Sequence, residues 1–257
     1  MSSGVWADQP YALIKETGIL TRLDVLRDHP AVSMAQDMAL AHNVILRSIN
    51  ASYNQCLSVR PGTPEATDFL IFNQCIFEFV KTHHDVEEEH LFPDITKLTG
   101  VAGIMEGNVQ EHRDFEAGME KFRQYVYDTP ADRYDGTKLQ AILDEFGKPL
   151  EKHMHNEIST LLNLKDYDAV KLKEVIASLG KQFAKAGDLF RQAPLVMGCA
   201  DNSFSIDGKI ISFPPVPFFV PYLVKYIFAS KHSGAWKFTP CDMFGRPRKL
   251  AFSNPKI

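Results

Sequence analysis

The strongest constraint on this chain is a series of long segments, between residues 31 and 190, in which apolar side chains recur every three or four positions. That spacing places the apolar side chains on one face of an α-helix. Breaks at about residues 60–64, 99–100, 128–130 and 165–166 separate the segments, most of them at proline or glycine. We therefore predict four long helices and a fifth, shorter one, over about residues 31–59, 64–98, 101–128, 131–164 and 167–190.

Composition divides the chain into three parts. Residues 1–30 form a leading segment that ends at Pro30, and residues 31–190 form the helical region. Residues 191–257 contain eight of the fifteen prolines, with many aromatic side chains between them. We predict an all-α helical bundle with an extra helix, and an irregular, aromatic and proline-rich C-terminal extension that packs on it.

Charge and cysteine content exclude several classes of protein. The net charge of −4 comes from acidic and basic residues mixed along 257 positions, so no basic stripe is present to bind nucleic acid. The four cysteines are scattered and no segment has the pattern of a signal peptide. We therefore predict an intracellular, cytoplasmic protein with free thiols.

Residues 213–229 are the only candidate for a membrane segment. Four prolines and Lys225 interrupt the apolar residues there. The segment is also shorter than the roughly 20 residues that span a bilayer. We predict no membrane span, and an extended segment that covers the helices.

Polar groups interrupt the apolar stripe of the second predicted helix. Steps of three or four residues lead from Ile76 and Val80 to His84 and Glu88, and the stripe becomes apolar again at Leu91. We therefore expect the side chains of His84 and Glu88 to face the core.

The other three long helices carry similar interruptions. Each places one histidine within its apolar stripe, and on the last helix a glutamate follows one turn later. These residues are His42, His112, His153 and Glu157. By the same reasoning His83, Glu87, His90 and His155 are expected to face solvent.

Six ionisable groups at similar depth in one core require a common explanation. A buried imidazole or carboxylate costs several kcal/mol unless it is paired or bound to a cation. Two glutamates from facing helices can bridge two metal ions. Imidazole and carboxylate without thiolate favour iron, with manganese or zinc as alternatives.

The motifs around these residues resemble those of the hemerythrin-like, or HHE cation-binding, family. They are "LAHNVIL" around His42, "HHDVEEEHLFP" at 83–93, "QEHRDF" around His112 and "EKHMHNEISTLL" at 151–162, and they span about residues 35–165. The resemblance implies an antiparallel four-helix bundle around a non-haem di-iron centre. It implies terminal ligands at His42, His84, His112 and His153, and bridging carboxylates at Glu88 and Glu157.

The chain departs from the oxygen-carrying hemerythrins at several positions. Glu116 stands where those proteins have a second histidine, four residues after the one on the third helix, and position 158 is isoleucine instead of an acidic ligand. Asp85 matches an acidic ligand in the hemerythrin-like domain of an iron-sensing ubiquitin ligase. Asp85 and Glu116 are therefore rival candidates for an additional ligand. A carboxylate in place of an imidazole should favour ferric iron, which argues against reversible O2 carriage.

Three functions fit this pattern. The first is a di-iron protein that binds or senses O2, peroxide, nitric oxide or iron itself. The second is a di-iron oxidase or oxygenase whose small apolar organic substrate enters between the bundle and the extension. The third is a bundle that metal holds together structurally. The sequence leaves the physiological metal, the substrate and the oligomeric state open.

Overall fold

The helices of the protein follow the predicted segments closely. A computed structural model describes residues 6–253. Its helices are α1 (Pro30–Gln55), α2 (Pro64–Val86), α3 (Phe92–Thr99), α4 (Glu106–Asp128), α5 (Gly136–Leu162), α6 (Ala169–Lys185), α7 (Gln192–Cys199) and α8 (Val220–Tyr226). A short antiparallel sheet pairs β1 (Ser205–Ile206) with β2 (Lys209–Ile210).

The predicted helix over residues 64–98 is one continuous helical course. It begins where Thr63 accepts a hydrogen bond from the backbone of Ala66 and Pro64 occupies the first turn. A π-helical segment, Glu87–Leu91, joins α2 to α3. The course ends at Gly100, whose φ of 69° is typical of a residue that terminates a helix.

Two helices begin later than predicted. Residues 101–105 form turns with Gly103 at a φ of 74°, so α4 starts only at Glu106. Before α5, residues Ala131–Arg133 form a short 3-10 turn, and the carboxylate of Asp135 then caps the helix by accepting from two backbone N–H groups. α5 continues through Pro149.

The four long helices share one core. α1 packs against α2 and α5, and α4 packs against the same two helices. These contacts bring the middle of each helix toward a common centre. The antiparallel course of the bundle stays a prediction.

The terminal parts pack on this core. Asn50 on α1 holds the backbone of Tyr11, whose hydroxyl donates to the carbonyl of Leu143 on α5. At the other end, the ring of Phe238 lies 4.6 Å from that of Phe69 on α2. Both ends therefore contribute to the same hydrophobic core as the long helices. The divisions at residues 30 and 190 stay predictions.

None of the helices within residues 6–253 is both long enough and apolar enough to cross a membrane.

Contact between the leading segment and α5 depends on a glycine. A methyl group on Gly147 would overlap the ring of Tyr11. We expect Gly147→Ala to lower the free energy of unfolding by about 1–3 kcal/mol, as overpacked cores do. In the matched control Gly180→Ala, on α6, the added methyl group contacts nothing within 4 Å and should stabilise by about 1 kcal/mol. Urea unfolding measures both, and equal effects would contradict the packing described.

Candidate metal centre

Four buried side chains from adjoining helices meet in the core. Their ring nitrogens and carboxylate oxygens lie within 4.8 Å of one another, so they could contact a single cation. The end of α2, the π-helical segment, α4 and α5 each supply one of them. The residues are His84, Glu87, His112 and His153, which we call the first group.

A second group lies beside the first and shares Glu87 with it. It consists of His42 on α1, His83 on α2 and Glu87. The Oε1 atom of Glu87 is 2.9 Å from Nε2 of His83, and its Oε2 atom is 3.7 Å from Nε2 of His112. One carboxylate therefore faces both groups, with one oxygen toward each.

Glu157 lies on the opposite side and also reaches both groups. Its side chain is fully buried, and its Oε2 atom is 3.2 Å from Nε2 of His42 and 4.0 Å from Nε2 of His153. Each of its neighbours belongs to a different group. Glu87 and Glu157 are thus two carboxylates between the same sets of imidazoles.

Many polar atoms of this cluster lack a hydrogen-bond partner among the described residues. They include Nε2 of His42, His83 and His84, and both carboxylate oxygens of Glu87 and Glu157. Leaving such atoms unpaired in a core costs several kcal/mol for a charged group. Two cations would satisfy these atoms together, so the residues present fit a two-metal site.

Hydrogen bonds outside the cluster orient two of the imidazoles. Nδ1 of His42 is 2.8 Å from the carbonyl oxygen of Met154, and Nδ1 of His112 is 2.6 Å from Oε1 of Glu88. Both oxygens only accept, so each Nδ1 carries the proton and each Nε2 presents a lone pair to the cluster. Nε2 of His112 lies 3.0 Å from Nε2 of His153, as expected of two nitrogens directed at one point.

Burial also selects the protonation state of the imidazoles. It lowers the pKa of His83 to about 4, and the pKa values of His84 and His153 also fall well below the ordinary value. These rings are therefore neutral near pH 7 and free to bind a metal ion.

The two carboxylates differ in their electrostatic surroundings. Burial, together with the charge of Glu157, raises the pKa of Glu87. Burial acts on Glu157 in the same sense, but the neighbouring imidazole of His42 and further imidazoles outweigh it and lower the pKa of that carboxyl. Glu157 is therefore the ionised member of the pair. A bound cation would favour loss of the proton from Glu87 as well.

Comparison with known proteins agrees with this geometry. The profile of the hemerythrin HHE cation-binding domain matches residues 34–164. The chain belongs to the hemerythrin HHE family. A curated relative, dimeric xanthone biosynthesis cluster protein R11 from Cryptosporiopsis sp. (strain 8999), is 38% identical over 224 residues, which are 87% of this chain and 84% of that protein. No solved structure shows a significant match.

In this hemerythrin-family protein, the prediction that His83 and Glu87 face solvent is wrong. Their side chains are 1% and 0% exposed, whereas Glu88, which we expected in the core, is 46% exposed and contacts the cluster only through His112. The π-helical segment is the reason. It holds an extra residue per turn, so the inward face passes through Glu87 and Leu91 and leaves Glu88 outside.

The sequence did contain a signal for the missed pair. His83 and Glu87 have the same four-residue spacing as His84 and Glu88, so the stretch offers two overlapping motifs. A regular period of 3.6 residues continues the stripe through either glutamate and cannot decide between them.

The structure brings neither rival candidate for an additional ligand to the cluster. Asp85 is exposed and pairs with Lys81, with Nζ 2.6 Å from Oδ2, and Glu116 is exposed on α4. The fifth imidazole comes instead from His84, which neighbours His83 on α2. His155 is exposed, as predicted, and its Nε2 is 2.9 Å from the carbonyl oxygen of Ala12.

An apolar cavity of about 530 Å³ adjoins the second group. It lies between α1, α2, α6 and the proline-rich part of the extension, and residues such as Met38 and Leu179 line it. Among the described residues, His83 alone belongs both to the cavity wall and to the two groups. The ring of Phe183 stacks on His83 with centroids 5.4 Å apart, so it separates the cavity from the carboxylates.

Proposed function

We propose that this protein holds two iron ions in its core, and that the pair reacts with O2 or a related small ligand such as peroxide or nitric oxide. The observation that supports this most is Glu87, a fully buried carboxylate that faces both groups and has no other partner among the described residues. A carboxylate shared between two sets of imidazoles is the arrangement that a two-metal site requires.

The donors divide unequally between the two ions. His84, His112 and His153 would hold one ion, and His42 and His83 the other. The shared carboxylates would be Glu87 and Glu157. Five imidazoles, two carboxylates and no thiolate suit iron, with manganese or zinc as alternatives.

The ligand set bears on reactivity. Iron bound there would supply one-electron chemistry toward O2. Because Asp85 and Glu116 lie outside the cluster and His84 contributes an imidazole, the set is less negative than the sequence implied. The argument that extra carboxylates favour ferric iron therefore loses its basis, and reversible ligand binding stays among the proposed activities.

Metal content tests the ligand set. We expect elemental analysis of protein purified without added metal to find close to two ions per chain. Glu87→Gln should lower this content well below two, because one shared donor loses its charge. Its matched control is Glu88→Gln, which changes an exposed carboxylate one position away and should retain both ions. Equal metal content in the two variants would refute the assignment of Glu87.

Reaction with O2 distinguishes the proposed activities. After anaerobic loading with ferrous iron and exposure to air, we expect a new visible absorption band in the wild-type protein. The band should be absent from Glu87→Gln. Disappearance of the band when O2 is removed indicates binding, and irreversible oxidation with consumption of an added reductant indicates an oxidase. A spectrum that does not change, with zinc in the purified protein, would leave only the structural role.

A second candidate function is oxidation of an apolar organic molecule. The cavity beside His83 supports it, since its volume falls within the range of roughly 300–1,000 Å³ typical of small-molecule sites. The relative named for a xanthone biosynthesis cluster supports it as well. In this role Phe183 and the apolar wall would hold the substrate away from water and beside the second group.

Filling the cavity tests this candidate. Leu179→Trp adds a large side chain to the wall, whereas Ala177→Trp adds the same side chain to an exposed position of α6. We expect Leu179→Trp to weaken binding of an uncharged fluorescent probe, Nile red, about tenfold, since the site loses most of its free volume. Ala177→Trp and the metal content of both variants should match the wild type. Equal Nile red binding in both variants would contradict a ligand site in the cavity.

A further inference from the structure

The C-terminal extension presents an aromatic surface that nothing in the described chain covers. Six apolar side chains between residues 216 and 227 are exposed, among them Phe218 at 86% and Tyr226 at 66%. We call them the aromatic face; its members are Val216, Phe218, Phe219, Tyr222, Tyr226 and Ile227.

The fold gives this face its direction. α8 packs on α7 through Val224, which is 1% exposed, so the residues around it on the helix point outward. Just before α8, prolines accompany the exposed Phe218 and Phe219. Contiguous exposed apolar patches of this kind usually mark a surface that binds something.

Charge indicates the partner. The chain has a net charge of −4, yet residues 208–241 contain four lysines and no aspartate or glutamate. Nζ of Lys225 lies 5.0 Å from the ring centre of Tyr226, and Nζ of Lys231 lies 5.5 Å from that of Phe190. The aromatic face is thus bordered by positive charge, which complements an anionic partner.

The combination of lysine with exposed aromatic rings favours a lipid surface over a protein. Cores of protein interfaces are enriched in aromatic residues but depleted in lysine. Aromatic rings beside lysines are typical of segments that lie in the headgroup region of a bilayer. A second copy of this chain would also place like charges opposite each other in a symmetric dimer.

The same segment forms part of the cavity wall. Val216, Val220 and Val224 line the cavity, while Phe218 and Tyr222 face outward from the same stretch of chain. An apolar molecule dissolved in a membrane would therefore meet the cavity close to the docking surface.

We propose that the aromatic face docks on the surface of an anionic lipid membrane, with its rings among the headgroups and Lys225 and Lys231 near the lipid charges. Delivery of an apolar substrate from the membrane into the cavity is a second step. That step alone rests on the proposed oxidase function.

Vesicle sedimentation tests the docking. The full chain is mixed with vesicles of phosphatidylcholine alone, or of phosphatidylcholine and phosphatidylserine in equal amounts. We expect binding to the anionic vesicles that weakens with added salt. Phe218→Glu should weaken it about tenfold, since a charge replaces an inserted ring. Lys225→Gln should weaken it about fivefold.

Two controls match these variants. Leu23→Glu places the same charge on another apolar residue, 96% exposed but in the leading segment, and Lys173→Gln removes an exposed lysine from α6. Both should bind as the wild type does. Equal sedimentation with the two vesicle types, equal loss in Phe218→Glu and Leu23→Glu, or a dimer that ignores vesicles would overturn the proposal. Glu87→Gln should still bind vesicles, so failure of the metal assignment and failure of the docking are separable.

Discussion

The buried ionisable groups at the centre of the four long helices determine the rest of this structure. Five imidazoles and two carboxylates occupy positions that apolar side chains would otherwise fill. Removing such groups from water is costly, and hydrogen bonds within the chain satisfy only part of that cost. The surrounding residues keep the arrangement dry: the rings of Phe115 and Phe183 lie 5.1 and 5.4 Å from those of His84 and His83. The fold and its cations therefore belong to one energetic problem, because neither arrangement is favourable without the other.

The sequence predicted the helices and half of the cluster's logic well. His42, His112, His153 and Glu157 are all buried where the stripes placed them, because α1, α4 and α5 are regular α-helices whose period matches the pattern. The second helix failed at one position, since a π turn depends on local hydrogen bonding that a hydrophobic period does not record. Family membership, in contrast, was carried by motifs and is confirmed.

Long-range features were beyond reach of the sequence. The cavity forms where Met38, Leu179 and Val224 come together from three distant parts of the chain. Composition did predict an aromatic extension packed on the helices, and Phe238 beside Phe69 bears this out for its end. It gave no sign that the middle of the extension turns its rings outward, because an apolar run has the same composition whether it is covered or not.

The π-helical segment has a consequence for how such centres diversify. A π turn is an α-helix with one residue inserted, so a single codon separates the two forms. In this stretch that codon decides which of two adjacent glutamates enters the core, and it allows two neighbouring histidines to serve different cations. A family that can gain or lose one residue there can shift a donor from one helix to another and leave the remaining scaffold unchanged.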